Sequence, residues 1–590
     1  MTAKNFGGFC VSSPFGSFKN DPIKDLASNT IRDFFGPTCQ TVSDCILTRG
    51  PSTLAQLISQ IRQHCKRDVN SERIRLADGL EPLYEGRSRA KLNLTRGSEE
   101  KGFIVSASAI RAAVIVLQQH SLVKTTAPQR SQDDALLEDN NVKNVKFRYT
   151  VDCERAIFML RFPRYVEYAR KLFGDEGACI IEELCTNGRM LVSEIIEASS
   201  DIILRNTVVD DDTKPSDERV SNTRKSIILT LRKMADEGFI ESVPPLKKDR
   251  TLHHEEIQID SIENDDNDTE PLLYPANFRD VFPSGSVWRV HIQMFHAHLR
   301  SFYLGRLVAE RYGHIQFAGT IVSSALKFLA HNEFAFSNKT LAQNEESHRN
   351  YEDRTLFTPT DIMAFLPPPV LDSLSNLAGG VQTNLSATLV QISKLANPSV
   401  IFEIEEARGH ADGGKFEVAT KDLLTYLRGR LVHQSIRDHH GDVSARICSI
   451  LETKGHLEGE AIAESAMVPA KDAREMLHRL YKTNYISLLY LQNAKQHNPA
   501  NAIYLWHVDK KRIHRTVLLN ICRAICNLRQ RRQHEVQIGK DWIERAKLAD
   551  GDENDVEMDK VNYKNFCQGL ERIDNSCIQL DETLMVMKDF

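Results

Sequence analysis

A unit of two or three short amphipathic helices followed by a pair of short strands recurs along this chain and limits its fold more than any other feature. The clearest copy lies between residues 442 and 508. Its third helix begins around Pro469, which suits a first helical turn, and places apolar side chains on one face at spacings of three and four. Two strand-like runs follow, Tyr485–Leu491 and Ala502–His507. Three helices and a β-hairpin in this order predict a winged helix.

Three further stretches have a similar order of elements, so the sequence predicts four such units in tandem. In the first, helix Ala107–Gln119 precedes a strand pair, Leu122–Thr126 and Lys146–Val151. In the third, strands Val400–Glu405 and Lys415–Val418 are joined by a loop with a turn signal. The expected organisation is a tail over 1–20, a first winged helix over 21–155 with an insertion at 66–101, a second over 156–248, an acidic linker over 249–285, a third over 286–421, a fourth over 422–508 and a helical hairpin over 509–590.

The C-terminal region has a different pattern, that of two long helices joined by a short acidic segment. Apolar residues alternate at spacings of three and four in both helices, which is typical of a coiled-coil seam. We therefore predict a mainly α-helical fold with small β-wings, in which four tandem winged helices precede an antiparallel coiled-coil hairpin. The seam of the second helix is formed by Phe566, Leu570, Ile573, Cys577, Leu580, Leu584 and Met587.

Charge and cysteine content exclude several functional classes. The chain carries 75 basic and 80 acidic residues, so it is not a globally basic nucleic-acid coat, and any contact with nucleic acid has to come from local patches. Its 12 cysteines include no C-x-x-C pair, which fits reduced thiols in a cytosolic or nuclear protein. No apolar run approaches the roughly 18 residues of a membrane-spanning helix.

Catalytic motifs are also missing from the sequence. We find no P-loop, no dinucleotide glycine fingerprint, no G-x-S-x-G and no H-E-x-x-H, so we expect neither an enzyme nor a bound cofactor. One alternative is a metal site at a loop with Asp438, His439, His440 and Asp442. Side chains of adjacent residues usually diverge, so the metal site is the less favoured interpretation of this loop.

Three motifs along the chain are specific enough to compare with known families. They are Arg161-Phe162-Pro163-Arg164-Tyr165 with Phe173-Gly174-Asp175, Glu182-Glu183-Leu184 and Asn187-Gly188; Ala466–Lys471 with Ala473, Arg474, Met476 and Leu477; and Leu580-Asp581-Glu582-Thr583. In this order they resemble the four-winged-helix subunit of RNA polymerase III, the largest member of that enzyme's initiation-specific heterotrimer. The resemblance covers roughly residues 21–590 in domain order and is sharp over about 151–200 and 440–590. The tail 1–20 and the insertion 66–101 depart from the family pattern.

The resemblance implies a non-catalytic nuclear subunit related to the TFIIE alpha subunit. Such a protein sits on the clamp of the largest polymerase subunit, binds the two smaller heterotrimer subunits, and helps to recruit and open promoter DNA for synthesis of tRNA, 5S rRNA and other small RNAs. No membrane and no small-molecule substrate are implied. The alternative is a multi-winged-helix scaffold of a proteasome-lid or ubiquitin-ligase type complex, which would not bind nucleic acid.

Two basic sets are candidates for contact with nucleic acid or a partner. An exposed helix with several cations can neutralise phosphates and fits the major groove. The alternative for each set is a solvated face or a protein interface, because residues spread along a long helix do not share one face. The candidate DNA-facing residues are Lys471, Arg474, Arg479 and Lys482. The candidate basic or partner-binding residues are Lys510, Lys511, Arg512, Arg515, Arg529, Arg531 and Arg532.

The run from Arg161 to Tyr165 is the most specific local signal. Because Pro163 disfavours helical geometry at the residue before it, we expect an elbow after an apolar helix. Arg161 and Arg164 flank this elbow, and Tyr165 can pack beneath it. The elbow is interpreted as a junction between domains, with a docking or DNA-proximal corner as the alternative.

Overall fold

A computed structural model describes residues 21–63, 106–126, 147–207, 217–243, 282, 286–342, 356–376, 380–395, 398–405, 414–491, 502–539 and 553–590. Within these ranges the protein is mainly helical, with small antiparallel sheets. The predicted tail 1–20, the insertion 66–101 and all of the acidic linker except residue 282 lie outside them. In the part of the chain that is described, no helix has the length and apolar character needed to cross a membrane.

The first block packs three helices on a two-stranded sheet. Helix α1 spans Pro22–Arg49, α2 spans residues 54–63 and α3 spans Ala107–Gln119. Strands β1 (Val123–Thr126) and β2 (Arg148–Val151) are antiparallel, which confirms the predicted strand pair. The apolar faces of the three helices meet in one core, so the local periodicity of the sequence accounts for this block.

The second block closes on a three-stranded sheet whose central strand comes from far along the chain. Strand β5 (Val287–Val290) lies between β3 (Met190–Leu191) and β4 (Ile240–Ser242) and is antiparallel to both. Residue 286 was expected to begin the third block, but this sheet assigns 287–290 to the second. Helix α4 (Cys153–Phe158) still belongs to the first block, since Ala156 is buried in its core, and a 3₁₀ turn at Met159–Arg161 leads on to the second. The helices of the second block are α5 (Phe162–Asn187), α6 (Val192–Thr207) and α7 (Asp217–Asp236).

The third block is built on a close pair of helices, α8 (Ile292–Arg311) and α9 (Ala318–Ala342). They approach so closely at Gly305 and Gly319 that a Cβ atom on Gly319 would lie 2.3 Å from the carbonyl oxygen of Gly305. Short helices and a sheet of order β6-β8-β7 cover this pair. These are α10 (Pro359–Met363), α11 (Pro368–Ser375) and α12 (Val381–Ser393), with β6 (Leu356–Phe357), β7 (Ile401–Glu405) and β8 (Lys415–Val418).

The fourth block has the predicted three helices and hairpin and is a winged-helix domain. Helix α13 (Thr420–His440) leads into it from the third core, since Leu423 is buried there and Ile436 is buried in the fourth core. His439 and His440 belong to the last turn of α13 and not to a loop. The other elements are α14 (Asp442–Lys454), α15 (Gly459–Ala466), α16 (Ala470–Lys482), β9 (Ser487–Leu491) and β10 (Ile503–His507).

Two long helices, α17 (Lys510–Ile538) and α18 (Glu553–Lys588), complete the chain and pack against each other in opposite directions. Gly539 at the end of α17 lies against the ring of Phe566 near the start of α18. Further along, the Arg532 Nε atom donates to Asp574 Oδ1 at 2.8 Å.

The last eleven residues, 580–590, are here named the C-terminal hub because they reach several cores. Leu584 packs with residues of α1, α4 and α17. Met585 is buried in the core of the second block and Met587 in that of the fourth. Phe590 packs against the cores of the second and third blocks. One end of one helix therefore contributes to the packing of all the blocks.

Candidate functional site

Two of the elbow residues, Arg161 and Tyr165, are buried near the C-terminal hub, whereas Arg164 is half-buried and Pro163 is exposed. Phe162 has helical dihedral angles (φ −50°, ψ −45°), and α5 begins there with Pro163 in its first turn. The prediction that the proline would hold the preceding residue out of helical geometry is therefore wrong. A first-turn proline is tolerated because its missing N–H would have no helical partner.

Arg161 is fully buried and binds two carboxylates of the hub. Its Nε atom donates to Asp581 Oδ1 at 3.1 Å and to Oδ2 at 3.3 Å, and its Nη2 atom donates to Asp589 Oδ2 at 2.6 Å. Its Nη1 atom lies 3.1 Å from His296 Nε2, and the Tyr165 hydroxyl lies 2.7 Å from the same nitrogen. Since the guanidinium can only donate, Nε2 accepts and the imidazole proton sits on Nδ1.

Burial and charge act together in this cluster. Burial, reinforced by the nearby Arg161, lowers the pKa of His296 to about 3, so the imidazole is neutral. Burial raises the pKa of the Asp581 carboxyl, although the Arg161 guanidinium opposes that change. Burial disfavours the charge of Arg161, but Asp581 and Asp589 outweigh it and raise its pKa. An ion cluster that is this deeply buried is costly to break from one side.

Two further arginines bind the C-terminal part of α18 and the residues that follow it. Arg164 donates to Ile578 O at 2.7 Å, to Glu582 Oε1 at 2.8 Å and to the Tyr303 hydroxyl at 2.9 Å. Arg428 of α13 donates to Val586 O at 3.0 Å and to Phe590 O at 2.7 Å. Helices α5, α8 and α13 thus meet on one end of α18, and the elbow lies at a junction between blocks.

The DNA-facing candidates all lie on α16 and are all exposed. The opposite face of the helix is buried, as the apolar spacing predicted, because Ala473, Leu477 and Leu480 fill the core of the fourth block. Arg479 forms an ion pair with Glu475 at 3.0 Å and Arg474 with Glu460 at 3.8 Å. Across the described ranges, Lys471 and Lys482 have no ion-pair partner, so they are the cations of this helix most open to a phosphate.

The second basic set is divided between two places on α17. Lys510, Lys511, Arg512 and Arg515 are exposed at its start, where Arg512 donates to Asn484, two residues beyond the end of α16, and to Ser487 Oγ at 3.1 Å. This end of α17 therefore continues the basic surface of α16.

The other three cations of this set form ion pairs within the protein. Arg529 Nε donates to Asp33 Oδ2 at 2.6 Å, which ties α17 to α1. Arg532 forms an ion pair with Asp574 of α18, and Arg531 with Glu535 on its own helix. Arg529 is therefore engaged inside the protein, whereas Arg531 and Arg532 stay exposed beside their ion pairs.

The hairpin of the fourth block adds a feature that the sequence reasoning missed. Tyr490 and Tyr504 are cross-strand partners with ring centroids 5.4 Å apart, and both are exposed. Leu489, Leu491 and Ile503 beside them are exposed as well. An exposed apolar patch of this kind marks an interaction surface. Three consecutive apolar residues in a strand were a signal for it, since a half-buried strand would alternate apolar and polar residues.

Within the described residues, no group of three or more histidine, cysteine, aspartate or glutamate side chains is placed to hold a metal ion. His440 lies against the ring of Tyr485, and its Nε2 atom is 3.3 Å from the Thr483 hydroxyl. These contacts assign His440 to packing in the fourth block.

Known proteins match this chain at two scales. A family model described as "POLR3C, C-terminal winged-helix domain" matches residues 432–508, the unit that ends in the β9–β10 hairpin. The chain is also similar to DNA-directed RNA polymerase III subunit RPC3 of Homo sapiens, with 23% identity covering 82% of this chain and 90% of that protein. The RPC3 of Mus musculus is 24% identical over the same shares. The rpc3 of Dictyostelium discoideum is 24% identical over 34% of this chain and 30% of its own. The resemblance inferred from three short motifs is confirmed.

Proposed function

We propose that this chain is the RPC3 subunit of a DNA-directed RNA polymerase III. The observation that carries the proposal is the length of the match: relatives with that name align with 82% of the chain and 90% of their own length. The family model falls on a unit whose helices and hairpin form a winged helix in the structure. The alternative of a proteasome-lid or ubiquitin-ligase scaffold is not supported by either comparison.

The role we propose is architectural and not catalytic. Each block ends in a small antiparallel sheet, which supports four tandem winged helices, and the opposed packing of α17 and α18 supports a coiled-coil hairpin. The C-terminal hub fixes the blocks to one another, so the subunit acts as a rigid body of the initiation heterotrimer. With two smaller partner subunits, it would sit on the polymerase clamp in the nucleus and support recruitment and opening of promoters for tRNA, 5S rRNA and other small RNAs.

The fourth block is the part that we propose to face promoter DNA. Its α16 helix and the adjoining start of α17 present exposed lysines and arginines, which bind phosphates without reading sequence. The exposed tyrosines of the hairpin lie on the same block and suit either stacking on unpaired bases or docking on a protein. The elbow is assigned to internal docking, because Arg161 is fully buried.

An add-back transcription assay tests this assignment. Nuclear extract depleted of the chain should lose promoter-dependent synthesis of a tRNA and regain it with the wild-type protein. The double charge reversal Lys471→Glu with Arg474→Glu should restore at most a minor part of the open-complex yield, because two phosphate contacts become repulsive. The matched control reverses two exposed lysines of the third block, Lys394→Glu with Lys421→Glu, and should restore full yield. Equal yields from the two variants would refute the DNA-facing role of α16.

A further inference from the structure

Three arginines converge on a small cavity at the seam between the first and second blocks. The cavity, about 20 Å³, has space for one water-sized group. Arg155 of α4, Arg189 after the end of α5 and Arg289 of β5 line it, together with His120 and Ser121. Nothing in the arrangement of the hub or of the basic surface of the fourth block accounts for this cluster.

The positive charges at this cavity exceed the negative ones. Arg289 Nε donates to Glu241 Oε1 at 2.7 Å, which neutralises one guanidinium. Within the ranges that the structure describes, neither Arg155 nor Arg189 has an ion-pair partner, and the nearby Asp152 is paired with Lys124 at 2.7 Å. Burial first, and then repulsion from Arg289, lower the pKa of both Arg155 and Arg189. Glu241 and Asp152 attract Arg155 and oppose this change, but they are already paired with Arg289 and Lys124, so the cluster keeps an excess of positive charge.

The Ser121 hydroxyl lies between the guanidiniums of Arg189 and Arg289 and could donate a hydrogen bond to an anion bound beside them. This hydroxyl accepts from Arg189 Nη2 at 3.0 Å and Nε at 3.3 Å, and from Arg289 Nη1 at 3.4 Å. A hydroxyl that accepts from guanidiniums still has its own proton to donate. Ser121 is buried, and its φ of 58° follows from its place at the end of α3, where the Leu122 N–H donates to Leu117 O at 2.8 Å.

The blocks on the two sides of the cavity are in close contact. The Gln119 side-chain amide donates to Asn187 O at 2.9 Å. A Cβ atom on Gly188, whose φ is +81°, would lie 2.8 Å from Gln119 O. Arg155 and Ser121 lie on the side of the first block, with α3 and α4. Arg189 and Arg289 lie on the opposite side of the cavity, in or next to the sheet of the second block. A ligand bound here would bridge both sides and tighten the seam.

We propose that this cavity is an oxyanion site that takes one oxygen of a phosphate group between the guanidiniums of Arg155, Arg189 and Arg289. Guanidinium groups match phosphate in charge and in the spacing of their donors. The cavity volume fits a single phosphate oxygen. The Arg289 side chain is 25% exposed to solvent, so the other oxygens of the phosphate would lie at the opening of the cavity. Free phosphate and the phosphate of a nucleic-acid backbone share this chemistry. The site does not depend on the assignment to a polymerase.

The test uses the full chain and two probes. The thermal unfolding midpoint is measured against increasing sodium phosphate, with sodium chloride at matched ionic strength as reference. In parallel, binding of a short single-stranded oligonucleotide is compared with that of the same oligonucleotide carrying an uncharged methylphosphonate backbone. The variants are Arg155→Met and Arg189→Met. The control is Arg306→Met, because Arg306 does not line the cavity and its exposed side chain pairs with Glu310 on its own helix.

The wild-type unfolding midpoint should rise with phosphate, saturably and by more than with chloride. Either variant should weaken the apparent affinity for phosphate at least tenfold, and the control should leave that affinity unchanged. If only the oligonucleotide responds, with loss in the same two variants and with the uncharged backbone, the ligand is a backbone phosphate. The proposal is overturned if neither probe distinguishes Arg155→Met and Arg189→Met from the wild type. Because Arg189→Met also relieves repulsion, it should still fold, and Arg155→Met provides an independent second variant.

Discussion

Replacement of Arg161 by methionine removes the buried cation that is ion-paired with both Asp581 and Asp589. Methionine keeps most of the side-chain volume, so the change mainly removes charge and hydrogen bonds. Loss of one partner from a buried ion pair costs about 3–5 kcal/mol, because the other charge stays buried. Asp581 can escape part of this cost by taking up a proton, because burial raises the pKa of its carboxyl and the opposing Arg161 guanidinium is gone.

The free-energy cost of losing Arg161 can be measured by amide hydrogen exchange of the C-terminal hub. Each 1.4 kcal/mol changes an opening equilibrium about tenfold, so protection of residues 580–590 should fall by about a hundredfold to a few thousandfold. The loss should shrink as the pH is lowered, since protonation of the aspartates then becomes cheaper by about 1.4 kcal/mol per pH unit. The control Arg170→Met removes an exposed arginine from α5, the helix that follows Arg161, and should change protection less than threefold.

A rescue variant separates charge from packing. Adding Asp581→Asn and Asp589→Asn to Arg161→Met leaves a neutral cluster, so most of the lost protection should return. Equal exchange protection of the hub in Arg161→Met and in the wild type would refute this role of Arg161. So would a triple variant whose hub is no better protected than that of Arg161→Met.

Three further predictions concern stability. Gly188→Ala should lower the thermal midpoint, at a cost of about 1 kcal/mol or more, because φ is +81° and the new Cβ meets Gln119 O; Gly429→Ala, in an open helical position, should not lower it. Burial lowers the pKa of both His296 and His298 to about 3. Each imidazole therefore takes up a proton near pH 6.5 only when unfolded, and stability should fall from pH 6.5 downwards, by about 2 kcal/mol per histidine at pH 5, with a shallower fall in His298→Gln. Leu580→Asp should reduce thermal stability and trimer assembly, because an unpaired charge is placed where α18 packs on α17; normal values for both would show that the predicted seam is wrong.

Helix faces and local strand pairs were predictable because their cause is local. The spacing of Ala473, Leu477 and Leu480 alone identified the buried face of α16, and the structure buries all three. The strand pairs of the first, third and fourth blocks were found in the same way, since each pair is flanked by its own turn or loop.

Long-range partners were not predictable from periodicity. Asp581 is 420 positions from Arg161, and nothing in the local pattern of either residue selects the other. The pairing of β5 with β3 was not predicted for the same reason, because strands that are distant in sequence share no turn between them. The basic run of α17 suggested one continuous charged surface, but Arg529 and Arg532 form ion pairs with Asp33 and Asp574 instead. A helix distributes neighbouring residues around its axis, so a charge run does not define a surface.

Affinity purification of the tagged full-length chain from its own cells, followed by mass spectrometry and a nonspecific transcription assay, tests the central claim most directly. The account predicts recovery of the large polymerase subunits and of two smaller partners, together with RNA synthesis that α-amanitin titrates. Recovery of proteasome or ubiquitin-ligase components without polymerase activity would contradict it, and the winged-helix domain at 432–508 would then belong to a scaffold of another kind.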